Sequence, residues 1–256
     1  MANTPSLSAP SFLRRAAHAL GRSARKARYK KLKARLAEIG DPKAVFSEIY
    51  ADNLWNDAES RSGPGSTMAY TAGIRVALER IVRDRSINVF LDAPCGDFHW
   101  MRAVLLPETA RYIGGDIVPA LVDDLRKRYG DTRHAFQVLD ITRGPLPDAD
   151  IWMCRDCFFH LSYADIARAL VNFATANIPL LLLTSHIPPP DGRYTNHDIV
   201  TGDARPIDVC ADPFGFPQPV ERFEDWIAPY SPREMGLWTR EQVLPVAARL
   251  AAQFLA

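Results

Sequence analysis

Acidic residues around a glycine turn carry the clearest chemical information in this sequence of 256 residues. Residues 89–98 read Val-Phe-Leu-Asp-Ala-Pro-Cys-Gly-Asp-Phe, so an apolar strand runs into a turn of small residues, and a helix is predicted after it over 98–106. Gly96 allows a ligand to approach the backbone closely, and the start of a helix would supply unpaired N–H groups. Asp92 and Asp97 flank the turn, so it should repel a pyrophosphate and attract a ligand with positive charges.

Two further aspartates follow at a constant spacing. Asp92, Asp116 and Asp140 lie 24 residues apart each time, and each follows a short apolar run. The predicted strands are 87–91, 112–115, 134–139, 151–154 and 180–183. The predicted helices between them include 120–129 and 163–176. This alternation is typical of βαβ units in a Rossmann-like, doubly wound, mostly parallel sheet, and so the fold class is α/β. The three aspartates then lie together at the edge where such sheets bind ligands.

S-adenosylmethionine (SAM) suits these positions better than a dinucleotide does. It carries a sulfonium and an ammonium group and no phosphate, and the sequence lacks the G-x-G-x-x-G fingerprint of dinucleotide sites. Asp116 is placed to accept hydrogen bonds from two ribose hydroxyls, and Asp140 with Ile141 is placed to meet the adenine. Since an acid after the second strand also serves NAD enzymes, an NAD-dependent oxidoreductase remains an alternative.

These residues resemble those of the class I SAM-dependent methyltransferases. The first motif of that family, an acid and then spaced glycines, matches Asp92 and Gly96, although Pro94 stands at the usual first glycine and Phe98 replaces another. The string Leu-Asp-Ala-Pro-Cys-Gly-Asp-Phe-x-Trp-Met is similar to that of a bacterial subgroup, as are residues 61–66, 154–162 and 236–238. The resemblance spans roughly residues 45–240 and says little about the methyl acceptor.

The strand ends and the resemblance together give a set of candidate cofactor-binding residues. They are Asp92, Ala93, Pro94, Gly96, Asp116, Ile117, Asp140, Ile141, Arg155, Trp55, Ser62 and Gly63. The last three precede the sheet in sequence. In the resembling subgroup their stretch covers the cofactor, and the alternative interpretation is a segment that only packs against the domain.

The loop after the fourth predicted strand offers groups that could face an acceptor. His160 is the favoured base because the pKa of histidine lies near neutrality, and Asp156 and Arg155 are the other catalytic candidates. The alternative is that His160 caps the following helix. Cys154 and Cys157 with His160 have too compressed a spacing for a typical zinc site, so no metal is predicted.

The expected reaction is methyl transfer from SAM to a small-molecule or glycan acceptor, at a hydroxyl oxygen. A non-catalytic module of the same fold, tethered by its basic arm, is the alternative from another functional class.

The expected domains are a basic arm over 1–40, a cap over 41–66 and a methyltransferase domain over 67–256. A proline-rich insertion at about 186–232 is predicted to form a lid over the ligand edge.

Charge is distributed unevenly along the chain. Residues 1–40 contain ten Lys and Arg and one acid, whereas the remaining 216 residues have 31 − 10 = 21 bases and 30 − 1 = 29 acids. The acidic body disfavours nucleic acid as a partner. Residues 11–39 are predicted to be helical and either solvated or in contact with an anionic membrane surface or an acidic partner. No membrane span or disulfide scaffold is predicted, so the expected location is the cytoplasm, with a membrane-peripheral position as an option.

Overall fold

The computed structural model describes Ala34, residues 38–190 and residues 194–256. The chain divides into two units, Met1–Gly40 and Asp41–Ala256. In the first unit Ala34, Glu38 and Ile39 are helical, and the other predictions for the basic arm lie outside the described residues. Among the described helices, none has both the length and the apolar character needed to cross a membrane.

The second unit contains five described α-helices and seven strands. The helices are α1 (Pro42–Ala51), α2 (Ala72–Asp84), α3 (Pro119–Tyr129), α4 (Tyr163–Thr175) and α5 (Arg240–Phe254). The strands are β1 (Val89–Asp92), β2 (Arg111–Asp116), β3 (His134–Val138), β4 (Ile151–Cys154), β5 (Leu180–His186), β6 (Glu221–Glu224) and β7 (Arg233–Thr239). Single 3₁₀ turns form at Pro64–Ser66, Met101–Ala103 and Phe158–His160.

All seven strands form one sheet in the order β3-β2-β1-β4-β5-β7-β6. Strands β1 to β5 are parallel, and β7 is antiparallel to both of its neighbours. The α/β, Rossmann-like class predicted from the sequence is confirmed. The strand order reverses between β1 and β4, and such a switch point is where open sheets of this type bind ligands.

Both faces of the sheet are covered by apolar side chains. Phe90 and Leu91 are adjacent in β1 and fully buried, and they belong to the two opposite layers of the core. The same alternation places Trp152 of β4 against α4 and Met153 on the side of α2 and α3. Burial on both faces explains why these strands read as continuous apolar runs.

The helix predicted over 98–106 is wrong. The segment contains only the 3₁₀ turn Met101–Ala103, so the chain passes from β1 to β2 without an α-helix. Phe98 has a left-handed φ of 58°, and the Asp97 carboxylate accepts a hydrogen bond from the His99 N–H at 3.2 Å. Phe98 is also buried against Tyr112 and other aromatic rings of the adjoining strands. Tertiary packing of this ring, with its unusual backbone conformation, overrides the local helical pattern.

Two other segments differ from the sequence expectation. The sequence also predicts a helix that is capped by Ser66 or Thr67 and runs to about Asp84, but α2 begins at Ala72, because residues 64–71 form a 3₁₀ turn followed by further turns. The stretch expected to be irregular at 186–232 contains β6, a strand that pairs with β7 at the end of the sheet. Prolines at its flanks hide this strand in the sequence, since four residues give too short a pattern to detect.

Trp152 connects the core to the loop that follows β1. Its indole N–H donates a hydrogen bond of 2.8 Å to the carbonyl of Ala93. We expect Trp152→Phe to lower the free energy of unfolding by about 2–4 kcal/mol, because a buried carbonyl loses its partner and a smaller ring leaves a cavity. Urea denaturation would measure the change. Leu105→Ala, at a side chain that is 77% exposed, is the control and should stay within about 0.5 kcal/mol of wild type.

Candidate active site

A large cavity lies at the C-terminal ends of β1 to β4. Its empty space is about 1020 Å³, including the solvent at its open mouth. Helix α1 forms one wall through Pro42, Phe46 and Tyr50, and Trp55 extends this wall. The cavity therefore lies between the sheet edge and the segment that precedes the sheet in sequence.

Most of the residues predicted from the sequence surround this cavity. Those that line it are Asp92, Pro94, Gly96, Asp116, Ile117, Asp140, Ile141, Arg155, Asp156, His160, Trp55 and Ser62. Strand order explains the grouping, because β3, β2, β1 and β4 are neighbours and each contributes its C-terminal end. The contact of each residue with a cofactor remains a prediction.

Ala93 and Gly63 do not line the cavity. Both backbone groups of Ala93 are used within the sheet, since its N–H donates to Met153 at 3.0 Å and its carbonyl accepts from Trp152. Gly63 has a φ of 93° and lies behind Trp55, where an added Cβ would come within 3.2 Å of the Trp55 Cβ. Ala93 and Gly63 therefore lie behind the residues that line the cavity, Ala93 hydrogen-bonded to β4 and Gly63 packed against Trp55.

Residues 60–62 hold the glycine turn after β1 through hydrogen bonds, a role that was not predicted from the sequence. The Asp97 carboxylate accepts hydrogen bonds from the Ser60 hydroxyl at 2.9 Å and from the Arg61 N–H at 2.8 Å. The Ser62 hydroxyl accepts from the Asp97 N–H at 2.9 Å. An added Cβ on Gly96, where φ is 54°, would lie 2.2 Å from that hydroxyl. The two sequence motifs at 61–66 and 89–98 are therefore in direct contact at this turn.

The buried carboxyl groups of Asp92 and Asp116 line the cavity, and their hydrogen bonds only partly offset the cost of burying a negative charge. Burial raises the pKa of Asp92 to about 7, although the Tyr112 hydroxyl donates to it at 2.7 Å and Arg155 also favours its charged form. Burial likewise raises the pKa of Asp116 to about 6, against hydrogen bonds from the N–H groups of Val118 and Gly96. A cationic ligand would favour ionisation of both groups.

Arg155 belongs to a buried network of four charges. Its guanidinium donates two hydrogen bonds to Asp225, at 2.8 and 2.9 Å, and both side chains are at least 97% buried. A third bond joins Arg155 to the carbonyl of Gly65 at 2.8 Å. Arg233 binds Asp156 at 2.7 Å and the Asp225 carbonyl at 3.1 Å, so two guanidinium groups balance two carboxylates.

The two guanidinium groups of this network favour the charged form of Asp156. Burial would raise the pKa of this carboxyl, but the charges of Arg155 and Arg233 outweigh burial and hold it below the ordinary value. Asp156 has a left-handed φ of 53°, and its N–H donates to the Thr184 hydroxyl at 2.9 Å. Its carboxylate is therefore an ion-pair partner, and it is a weak candidate for a general base.

His160 is held as a neutral imidazole. Its Nδ1 lies 2.8 Å from the Asp203 carbonyl, which can only accept, so Nδ1 carries the proton and Nε2 is left as an acceptor. Burial lowers the pKa of His160 below its usual value. The alternative that His160 caps α4 is wrong, because Ser162 is the N-cap and accepts from the Asp165 N–H at 3.2 Å.

The proline-rich segment packs beside the cavity. Arg205 donates a hydrogen bond of 2.7 Å to the Leu161 carbonyl, and the Gly202 N–H donates to the backbone carbonyl of His160 at 2.8 Å. No described residue within 186–232 lines the cavity, so the lid over the ligand edge stays a prediction. Within the described part of the chain, no cluster of three or more His, Cys, Asp and Glu side chains could hold a metal ion.

Neither a family model nor a curated protein matches the sequence. Among solved structures, magnesium protoporphyrin IX methyltransferase (ChlM) from Synechocystis PCC 6803 with bound SAH aligns with a TM-score of 0.53 and 13% identity, over 77% of this chain and 99% of that chain. The N-methyltransferase NodS from Bradyrhizobium japonicum WM9 gives a TM-score of 0.51 and 13% identity, over 67% and 96%.

The chain has the Rossmann-like fold of these methyltransferases. The expectation of this fold from the sequence is thereby confirmed. Asp225 and Arg233 are the members of the charge network that sequence reasoning missed; Asp225 follows β6 within the proline-rich segment, and Arg233 begins β7 directly after it. Arg233 lies three residues before Gly236, so the similarity of residues 236–238 to the methyltransferase subgroup could have drawn attention to it.

The burial of Asp92 leads to a prediction for stability. Because its pKa is higher in the folded state than in the unfolded chain, between about pH 4 and pH 7 the folded state keeps a proton that the unfolded state has released. The free energy of unfolding should therefore fall as pH rises through this window. Asp92→Asn should remove this dependence and raise the free energy of unfolding at pH 8 by on the order of 2–4 kcal/mol.

Urea denaturation of the ligand-free protein from pH 5 to pH 8 would measure this effect. Asp124→Asn is the matched control, since Asp124 is a half-exposed carboxylate that pairs with Arg128 on α3. An Asp92→Asn protein whose stability follows that of wild type at every pH would contradict the assignment.

Proposed function

We propose that this protein transfers a methyl group from SAM to a hydroxyl oxygen of a small-molecule or glycan acceptor. The observation that carries the proposal is the ring of carboxylates around one cavity, at the ends of β1, β2 and β3. Asp92 and Asp116 are buried there with raised pKa values, and neither is paired with a guanidinium or ammonium group within 4 Å among the described residues. Such a site favours a ligand that carries positive charge and no phosphate.

The donor set fits SAM along the sheet edge. Asp92 and Gly96 would hold the methionine end, Asp116 the ribose, and Asp140 with Ile141 the adenine. When bound, SAM supplies an electrophilic methyl group, whose bond to sulfur breaks as a bond to the acceptor oxygen forms, leaving S-adenosylhomocysteine. Alignment of the two partners can supply about 7–11 kcal/mol of the barrier reduction in such a reaction.

A dinucleotide fits this cavity poorly. The turn after β1 leads into irregular chain and one 3₁₀ turn, so no α-helix presents its N–H groups to a pyrophosphate there. The carboxylates of Asp92 and Asp97 would also repel the negative charge of a pyrophosphate. These features disfavour the alternative of an NAD-dependent oxidoreductase.

His160 supports an enzyme over a non-catalytic module of the same fold. Its neutral ring lines the cavity beyond the end of β4 and keeps Nε2 available to accept a proton. In the proposed reaction the acceptor hydroxyl gives its proton to this nitrogen. A positioned base of this kind contributes roughly 10²–10⁴-fold in rate.

The cofactor is tested by calorimetric titration of the protein with SAM. We expect SAM to bind and NAD not to bind. Asp116→Ala should weaken SAM binding by roughly 10–100-fold, because loss of charge-assisted hydrogen bonds to two ribose hydroxyls costs about 1.5–3 kcal/mol. Asp124→Ala on α3 is the control and should bind as wild type does. Failure of wild type to bind SAM would exclude the proposed function.

The base is tested by His160→Gln. We expect kcat for an accepted alcohol to fall roughly 10²–10⁴-fold, because the proton loses its acceptor, while the Kd of SAM changes by less than about threefold. His134→Gln, on the outer strand β3, is the control. Activity of His160→Gln equal to that of wild type would show that the acceptor loses its proton elsewhere.

A further inference from the structure

We infer that the methyl acceptor is an uncharged, planar aromatic alcohol that lies against Trp55 beside His160. This inference rests on the proposed function and narrows it, because a glycan or an acidic acceptor would not suit the same place. The part of the cavity concerned is defined by Trp55 and residues 156–161, and we call it the β4 end of the cavity.

Strand order assigns the acceptor to the β4 end. The candidate groups for adenine, ribose and methionine follow β3, β2 and β1, and so they occupy consecutive positions along the sheet edge. The next position is that of β4, whose end leads into Asp156 and His160. An acceptor next to the transferred methyl group would therefore meet the residues after β4.

Charge at the β4 end disfavours an anionic acceptor. Arg155 is the only guanidinium or ammonium group among the described residues that line the cavity. Its donors are committed to Asp225, to the Gly65 carbonyl and, at 3.4 Å, to Asp156. At the β4 end, a carboxylate or phosphate on the acceptor would lie beside the Asp156 carboxylate, and among the described residues that line the cavity it would find no free cation.

Hydrogen-bonding capacity at the β4 end disfavours a sugar. The lining there is apolar at Trp55, Cys157 and Leu161, and Asp156 is already paired with Arg233. Nε2 of His160 can then accept a hydrogen bond from one hydroxyl of the acceptor. Each additional hydroxyl buried without a partner would cost about 1–3 kcal/mol, which an alcohol with a single hydroxyl avoids.

The indole of Trp55, which lines the cavity, favours an acceptor with a flat ring. Its ring centre lies 5.7 Å from that of His160, with 36° between the planes. Gly63 packs behind it so closely that an added Cβ would approach the Trp55 Cβ to 3.2 Å, which holds the residue in place. An aromatic partner on such a surface gains about 0.5–1.5 kcal/mol beyond the area that it buries.

Three probes of matched size test the inference on the full chain loaded with SAH. They are β-naphthol, the hydroxynaphthoic acid that adds a carboxylate on the second ring, and methyl glucoside. We expect β-naphthol to bind and, with SAM in place of SAH, to be methylated. The carboxylate should weaken binding at least about tenfold, equal to about 1.4 kcal/mol, and the glucoside should not bind measurably.

Variants of Trp55 supply a second readout. Trp55→Ala should weaken β-naphthol binding roughly 5–20-fold, from lost stacking and lost apolar area, and Trp55→Phe should recover most of it. Both variants should bind SAM within about threefold of wild type, because this inference assigns Trp55, a cofactor-binding candidate from the sequence, to the acceptor instead. Tyr230→Ala, at a side chain that is 42% exposed and outside the cavity, is the control.

The outcomes separate the two proposals. A wild-type protein that binds neither SAM nor SAH overturns the proposed function and this inference together. A protein that binds SAH but prefers the glucoside or the carboxylate, or binds no β-naphthol, overturns this inference alone. A loss of SAM affinity in Trp55→Ala equal to the loss of β-naphthol affinity would place Trp55 against the cofactor and also overturn it.

Discussion

The paired guanidinium and carboxylate groups behind the cavity are the constraint on which the rest of the site depends. Removing one member would leave a charge buried without a partner, a change that typically costs about 3–5 kcal/mol. The network ties the loop after β4 to strand β7, to the residues after β6 and to the Gly65 carbonyl. An added Cβ on Gly65 would lie 2.7 Å from Arg233 and 2.8 Å from Asp156, so the cap must present glycine there. Cap and sheet edge are thus held in one arrangement by electrostatics as well as by apolar packing.

The sequence predicted the sheet because its strands are buried on both faces. Buried parallel strands read as short apolar runs, and the strand at 151–154 was predicted with the bounds that the structure has. The acids at strand ends were identifiable for the same reason, since the end of an apolar run marks the edge of the sheet. The helix at 98–106 was wrong because Phe98 is buried in a left-handed conformation, a preference that depends on aromatic rings of other strands.

The partners of Arg155 and Asp156 were beyond local reasoning. Asp225 lies 70 residues from Arg155, and Arg233 lies 77 residues from Asp156. No spacing rule joins residues at such distances, and an isolated acid or base in a proline-rich stretch reads as a surface charge. The role of Asp97 was hidden similarly, because the groups that it binds lie 36 and 37 residues before it.

The protonated state of Asp92 has a consequence for the energetics of ligand capture. With a pKa of about 7, this carboxyl is close to half protonated in the empty cavity at neutral pH. A ligand with a positive charge lowers that pKa, so its entry expels a proton into the solvent. The heat measured on binding would then include the ionisation enthalpy of the buffer. Because only about half of the empty cavities carry this proton at neutral pH, its release would offset part of the ligand's positive charge, and the long-range field of the protein would change by less than that charge alone would cause.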